Sequence, residues 1–484
     1  MKVNLFMQIL LKLLVVLSCV VTASVKFNSA AEPVTAATDT QPEPNLQKQK
    51  NGDSMRFPDP PAWVENGVMY EVNLRQFSQA GTVAGFRPHL PRLKELGVDI
   101  LWFMPIHPIG VEKRSGTLGS YYAARDFTAF NEEFGSIEEF KHLVSDAQAM
   151  GFRVIIDWVA NHTAPDHLWV TEHPDWYLRD ARGDLVHPQP TWLDVVDLDF
   201  DNGDLRDAMI DAMSYWVSEV GVDGFRCDAA EFVPLDFWVE ARDTLREIGP
   251  VFMLAEASRP DQIEYAFDAL YAWHLPENLE GIVAGTKTVE DLVNYCKAES
   301  RLIGDEGFRL NFTTNHDLNS WEGTDRERLG DGIQASTVLT YMMPGMPLIY
   351  TGQEAGLDRQ LAFFERDPID WVEHPMTELY QELSAIKRRH PALAVGSPGS
   401  MQIIKDLTGP DVLAFIRQVE TESGIDQVLT VLNLSPSRQQ VRVAEFTDGL
   451  TPVLGHAELD GNVLAIDPWG FSVWATPAPK SEGN

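Results

Sequence analysis

Residues 136–159 read SIEEFKHLVSDAQAMGFRVIIDWV. Ser136 and Glu139 have the spacing of a capping box, in which each side chain satisfies a free backbone N–H at a helix start. Ile137, Phe140, Leu143, Val144 and Ala147 then recur at helical spacing and make one apolar face. Gly151 stands just past the end, where a left-handed residue is wanted. FRVIIDWV (152–159) follows at once, a near-continuous apolar run suited to a parallel strand buried on both faces. VDILWFMPI (98–106) has the same texture upstream, so the segment is a β-α-β unit.

The pattern repeats along the chain. VMYEVNL (68–74), VDGFRCD (222–228), VFMLAE (251–256), FDALYAW (267–273), FRLNFTT (308–314) and MPLIYTG (346–352) complete a set of eight strands. Eight such units predict an α/β fold, a (β/α)8 TIM barrel. An open doubly wound sheet is disfavoured because no Gly-rich dinucleotide fingerprint follows the first strand. Between the third strand and the helix near Leu205 run about forty residues rich in Trp, His, Pro and Asp, from His162 to Phe200. Loops that long are uncommon and usually functional. After about residue 396 short β-like runs (DVLAFIRQV, DQVLTVLNL, RQQVRVAEF, GFSVWATP) alternate with Gly, Pro, Asp and Asn. They predict a C-terminal antiparallel β-sandwich over 396–484, behind a barrel over 57–395 that carries an inserted domain at about 162–204.

The rest of the composition bounds function. The chain has 484 residues and a formal net charge of −34. Such a surface repels phosphate backbones, so nucleic acid is not an expected partner, whereas a neutral ligand such as a sugar is tolerated. Cys19, Cys227 and Cys296 are the only cysteines. They are too few and too scattered for a disulfide framework or a zinc site. Residues 1–31 read as a targeting segment: Lys2 and Lys12, the apolar run LLVVLSCVV, then small residues in VTAS and NSAA. Two fates follow from it. Cleavage near Ala23 or Ala31 releases a soluble protein. Alternatively VLSC resembles a bacterial lipobox, and Cys19 carries a lipid anchor, the one membrane attachment expected. Either way the protein is exported: periplasmic, outer-membrane-anchored or extracellular. Residues 32–56, polar and Pro-bearing, cannot bury enough surface to offset their ordering entropy and read as a linker. Nothing in the sequence sets the oligomeric state.

Four clusters end predicted strands: DWVANH (157–162), GFRCDAAE (224–231), LAEA (254–257) and FTTNHD (312–317). A charge at the end of an apolar strand is costly to bury without a partner or a use. In a parallel barrel all four meet on one rim. Cleaving a glycosidic bond with retention needs two carboxyl groups flanking it, one to attack and one to protonate the leaving oxygen. Asp228 and Glu256, on neighbouring strands, can supply them. Arg226 lies two positions before Asp228, so on a strand both face the same way. Its guanidinium would hold Asp228 ionised, while the apolar neighbours of Glu256 would keep that group protonated.

These clusters, in this order, resemble the four signatures of the α-amylase family of retaining glycoside hydrolases (glycoside hydrolase family 13). VVDLDF (195–200) and YTGQE (350–354) resemble two further family motifs. The likeness runs from about residue 63 to the C-terminus. It implies Asp228 as nucleophile, Glu256 as acid/base, and Asp317 as the group that stabilises the transition state through sugar hydroxyls. It implies Arg226 as the orienter of Asp228, and His162 and His316 as ligands of the sugar at the cleaved bond. Tyr122, in preference to Tyr121, matches the stacking tyrosine, and the long loop is the family's domain B. The implied substrate is a starch-like α-1,4-glucan or maltooligosaccharide. An exo-acting α-glucosidase, an α-1,6-glucosidase or a transglycosylase of the family shares the triad. A glycan-binding protein without catalysis would usually have lost it. No cofactor is required by this chemistry. Asn161 and Asp197 match two calcium positions of the family, but Glu231-Phe232 replaces the Lys-His found after the nucleophile of many α-amylases. A metal site is therefore not assigned.

Overall fold

A computed structural model describes residues 60–303, 307–396, 401–443, 445–455 and 458–477. The targeting segment, the linker and Cys19 lie outside the described residues. Eight parallel strands close into a barrel: β1 (Met69–Val72), β2 (Ile100–Phe103), β3 (Arg153–Trp158), β4 (Gly224–Cys227), β5 (Phe252–Ala255), β6 (Ala269–Tyr271), β7 (Phe308–Asn311) and β8 (Met346–Tyr350). Each pairs with its sequence neighbour, and β1 closes on β8 through Met69↔Leu348 and Glu71↔Tyr350. All eight predicted runs are present. The ladders are shorter than several of those runs because the residues beyond them turn into the rim.

Strand alternation divides the core. Met69, Ile100, Trp102, Ile155, Leu254, Tyr271 and Leu348 share one buried cluster inside the barrel. Intervening residues such as Tyr70, Leu101, Ile156 and Met253 join the larger cluster beneath the helices. One step further along the inward face, the residue becomes polar: Glu71 after Met69, Asp157 after Ile155, Arg226 after Gly224. All three are buried without measurable exposure. The barrel is thus apolar at its floor and charged toward its C-terminal rim.

The helix Ile137–Ala149 begins with both halves of the capping box at Ser136 and Glu139 and buries Phe140, Leu143, Val144 and Ala147. Gly151 follows at φ +82°. Domain B is held by a two-stranded antiparallel ribbon, His162–Thr163 against Val196–Asp197.

Behind the barrel lie a five-stranded and a three-stranded antiparallel sheet. Val412, Ala414, Leu429, Val431 and Trp474 of the first pack on Leu464 and Ile466 of the second. The alternate residues Leu413, Phe415, Val428, Leu432 and Val473 join the barrel's outer core. Period-two alternation thus places one sheet between its partner sheet and the barrel. Cys227 is a buried free thiol and Cys296 a partly buried one.

Candidate active site

The backbone ladder continues one step past two strands: Asp228 N–H donates to Trp158 O (2.9 Å) and Glu256 N–H to Cys227 O (3.0 Å). Both acids therefore stand on strand extensions rather than on free loops. Between them lies Arg226, fully buried. Its Nη1 donates to Asp157 Oδ1 (2.9 Å) and Asp228 Oδ1 (2.8 Å), and its Nε to the Tyr271 hydroxyl (2.9 Å). Its Nη2 sits 3.0 Å from Glu256 Oε2, off the hydrogen-bond axis. One guanidinium thus reaches both carboxyl groups. Register explains it: Arg226 is directly opposite Asp157 on one side and Leu254, two residues before Glu256, on the other.

After Asp228 the chain turns sharply. Ala229 adopts φ +44°, a conformation uncommon for a residue with a side chain. The turn aims Ala229 N–H at Glu256 Oε2 (2.8 Å). Burial pushes the Asp228 carboxyl up, and the charge and hydrogen bond of Arg226 pull it back. Burial pushes Glu256 up as well; Arg226 opposes this through charge, while Asp228 reinforces it. Asp157 lies beneath, bonded to Trp102 Nε1 (3.2 Å) and the Tyr122 hydroxyl (3.1 Å) as well as to Arg226.

His316 and Asp317 close the other side. His316 Nε2 is 2.7 Å from the Tyr122 hydroxyl and 3.3 Å from Asp317 Oδ2. The Tyr122 ring stacks on the His316 ring at 5.3 Å between centroids. Tyr121 points elsewhere: its hydroxyl donates to Asn73 Oδ1, and its ring lies under Arg75. Tyr122, Arg226, Asp228, Glu256, His316 and Asp317 therefore form one connected group. His162 stands to the domain B side, its Nδ1 3.3 Å from Asn161 Nδ2 and its ring 6.4 Å from that of Trp192. Burial pushes the His162 imidazole down to about 4, against the Asp194 charge, so at neutral pH it is uncharged.

The two residues at family calcium positions are bonded to each other, Asn161 Nδ2 donating to Asp197 Oδ1 (3.1 Å). Among the described residues no group of three or more His, Cys, Asp or Glu side chains is placed to hold a metal ion. Glu231, in the departing pair, accepts instead from Ser258 N–H (3.3 Å), and the Phe232 side chain is exposed.

Glu71, Trp102 and Tyr271 also belong to this group, and sequence reading missed them. Glu71 Oε1 lies 2.5 Å from His316 Nδ1. A signal was present: Glu71 is the single acid in VMYEVNL and faces the same way as Met69.

The family model described as the α-amylase catalytic domain matches residues 48–192 and 176–248. The chain is 26% identical over 450 residues to the α-amylase MalA of Haloarcula japonica, covering 88% of this chain and 64% of that protein. It is 27% identical over 545 residues to the trehalose synthase/amylase TreS of Mycobacterium tuberculosis, covering 84% of this chain and 88% of that one. Among solved structures, an α-amylase from Lactobacillus plantarum superposes with a TM-score of 0.77 at 29% identity, over 86% of this chain and all (100%) of its own. Relatives that carry the same barrel from end to end, together with a catalytic-domain match that spans β1 to β4 and the nucleophile turn, lead to one conclusion: the chain is an enzyme of the α-amylase family of glycoside hydrolases.

Proposed function

We propose that this enzyme hydrolyses α-1,4-glucosidic bonds of starch-like glucans or maltooligosaccharides by double displacement. The observation that carries the proposal is the single buried guanidinium of Arg226 in contact with Asp228 and Glu256 at once. It holds two carboxyl groups side by side on neighbouring strands, the pair that a retaining mechanism uses. Asp228 attacks the anomeric carbon while Glu256 gives its proton to the leaving glycosidic oxygen. The bond to the leaving sugar breaks, and a covalent glycosyl-Asp228 forms. Glu256, now ionised, takes a proton from water, which attacks the same carbon and releases Asp228. Asp317 and His316 hold the hydroxyls of the sugar at the cleaved bond, and Tyr122 stacks beneath it. Arg226 keeps Asp228 oriented and favours its ionised form.

The test is release of reducing sugar from soluble starch and maltoheptaose by wild type and Asp228→Asn. The substitution keeps the shape and removes the nucleophile, so at least about a thousandfold loss of kcat is expected. Proton NMR of fresh product should show the α anomer first. Glucose as the sole early product from maltoheptaose would point to exo action instead. No turnover on either substrate by wild type would withdraw the substrate assignment.

A further inference from the structure

His316 is held from every side by groups whose hydrogen-bonding needs can be counted. Its Nδ1 faces Glu71 Oε1 at 2.5 Å. Its Nε2 faces the Tyr122 hydroxyl at 2.7 Å. That hydroxyl has one proton, and it goes to Asp157 Oδ2. Both Asp157 oxygens already accept, Oδ1 from Arg226 and Oδ2 from Trp102 as well. With that proton on Asp157, the Tyr122 oxygen accepts from His316, which calls for a hydrogen on Nε2. Asp317 Oδ2, 3.3 Å away, is a second acceptor for the same N–H. An ionised Glu71 requires a hydrogen on Nδ1 too. A ring with hydrogens on both nitrogens is an imidazolium.

Among the described residues, Glu71 has no other hydrogen-bonded side-chain partner for this charge. It stands at the C-terminal end of β1, fully buried, opposite Trp102 on β2 and Tyr350 on β8. Its backbone carbonyl is clamped by the N–H (3.1 Å) and hydroxyl of Thr351. Its Oε2 is buried and accepts nothing. A carboxyl group kept in that state is unfavourable unless a cation compensates it.

We propose that Glu71 is a positioning residue that holds His316 as an imidazolium, so that the ring stands beside the sugar as a positive charge of fixed orientation. The groups facing His316 are Glu71 from β1, Tyr122 from the loop after β2, Asp157 from β3, Arg226 and Asp228 from β4 and its extension, Glu256 after β5 and its own neighbour Asp317. Burial opposes protonation and Arg226 adds to that; Asp317 and Glu71 outweigh both and push the imidazole up to about 9. The ionic bond to Glu71 keeps the ring, and with it the sugar that packs against it, in one orientation for attack by Asp228. The effect on turnover rests on the glucan-hydrolase reading; the protonation state does not.

The experiment is nitrogen NMR of histidine-labelled, substrate-free enzyme, with the His316 signals identified by their loss in His316→Gln. Wild type at pH 7 should show both His316 nitrogens protonated. Glu71→Gln keeps size and can still accept from Nδ1, but should lower the His316 titration by at least about one pH unit. Its kcat should fall about ten- to a hundredfold, as for loss of a charge-assisted bond, with a smaller change in KM. In a His316→Gln background the same substitution should add little, since the two act as a unit. A neutral His316 ring in wild type at pH 7, or a titration unmoved in Glu71→Gln, overturns the proposal. If Glu71→Gln does not fold, the wild-type titration decides: a charged ring at pH 7 supports the proposal and a neutral one overturns it. If the enzyme proves inactive on glucans, the NMR arm still stands.

Discussion

Arg226 shows how much of this site depends on one side chain. It carries no measurable exposure and contacts Asp157, Asp228, Glu256 and Tyr271. Removing it leaves buried carboxylates without a cation, which is costlier than never having had the pair. Arg226→Ala should therefore lose about 3–5 kcal/mol of stability in urea unfolding, while Asp228→Asn, which leaves Arg226 with Asp157, should lose far less. Equal losses in the two variants would mean that the guanidinium is not the hub described here. Sequence reading identified the Arg226–Asp228 pair because alternation on a strand is a local property. It did not identify Asp157 and Glu256 as partners of the same guanidinium, since those contacts depend on the register of β3, β4 and β5.

Strands β4 and β5 carry the two acids, and their close approach is set by Gly224. A methyl group added there would lie 2.2 Å from the Phe252 carbonyl oxygen of the adjacent strand. Both strands would have to separate. Gly224→Ala should cost about 3 kcal/mol or more and lower activity with it. Gly249, with φ 178° and nothing within 4 Å of the added methyl, is the control: Gly249→Ala should leave the melting temperature nearly unchanged. A melt of Gly224→Ala that matches wild type would show that the barrel tolerates wider strand spacing than the backbone implies. Much of this level was legible beforehand. The capping box at Ser136 and Glu139, the left-handed Gly151 and the eight apolar runs all depend on contacts within a few residues. The ribbon that anchors domain B was not legible, because His162–Thr163 and Val196–Asp197 are too short to announce themselves as strands.

Between the barrel and the C-terminal sheets, Lys387 of the last barrel helix (Pro375–Arg389) is buried with its Nζ on the Leu393 carbonyl (2.6 Å). Burial, then the nearby Arg417 charge, pushes its ammonium down to about 7. In the unfolded chain a lysine titrates near about 10.4. Between those values the unfolded state holds a proton that the folded state lacks. Stability therefore rises with pH through that window and is flat, for this group, below it. Lys387→Met has no such term. Urea unfolding at pH 7 and pH 9.5 should show wild type gaining a few kcal/mol on the variant at the higher pH. A difference between the two proteins that is the same at both pH values would place the lysine in water rather than in the seam.

The order of strands and helices, the division into barrel and β-sandwich, and the four rim clusters follow from the amino acids read in a line. Each is written in periodicities of two or about 3.6 residues and in turn residues at fixed offsets. Barrel closure supplied what lay beyond that reach. Glu71 and His316 are 245 positions apart, yet one carboxylate oxygen meets one ring nitrogen. Such a pair has no spacing to recognise. It exists because β1 closes on β8, beside β7, which brings the first strand next to the residues that end the seventh. The protonation of His316, the shared guanidinium of Arg226 and the mutual bond of Asn161 and Asp197 are all consequences of burial and proximity, and both arise only when the chain has folded.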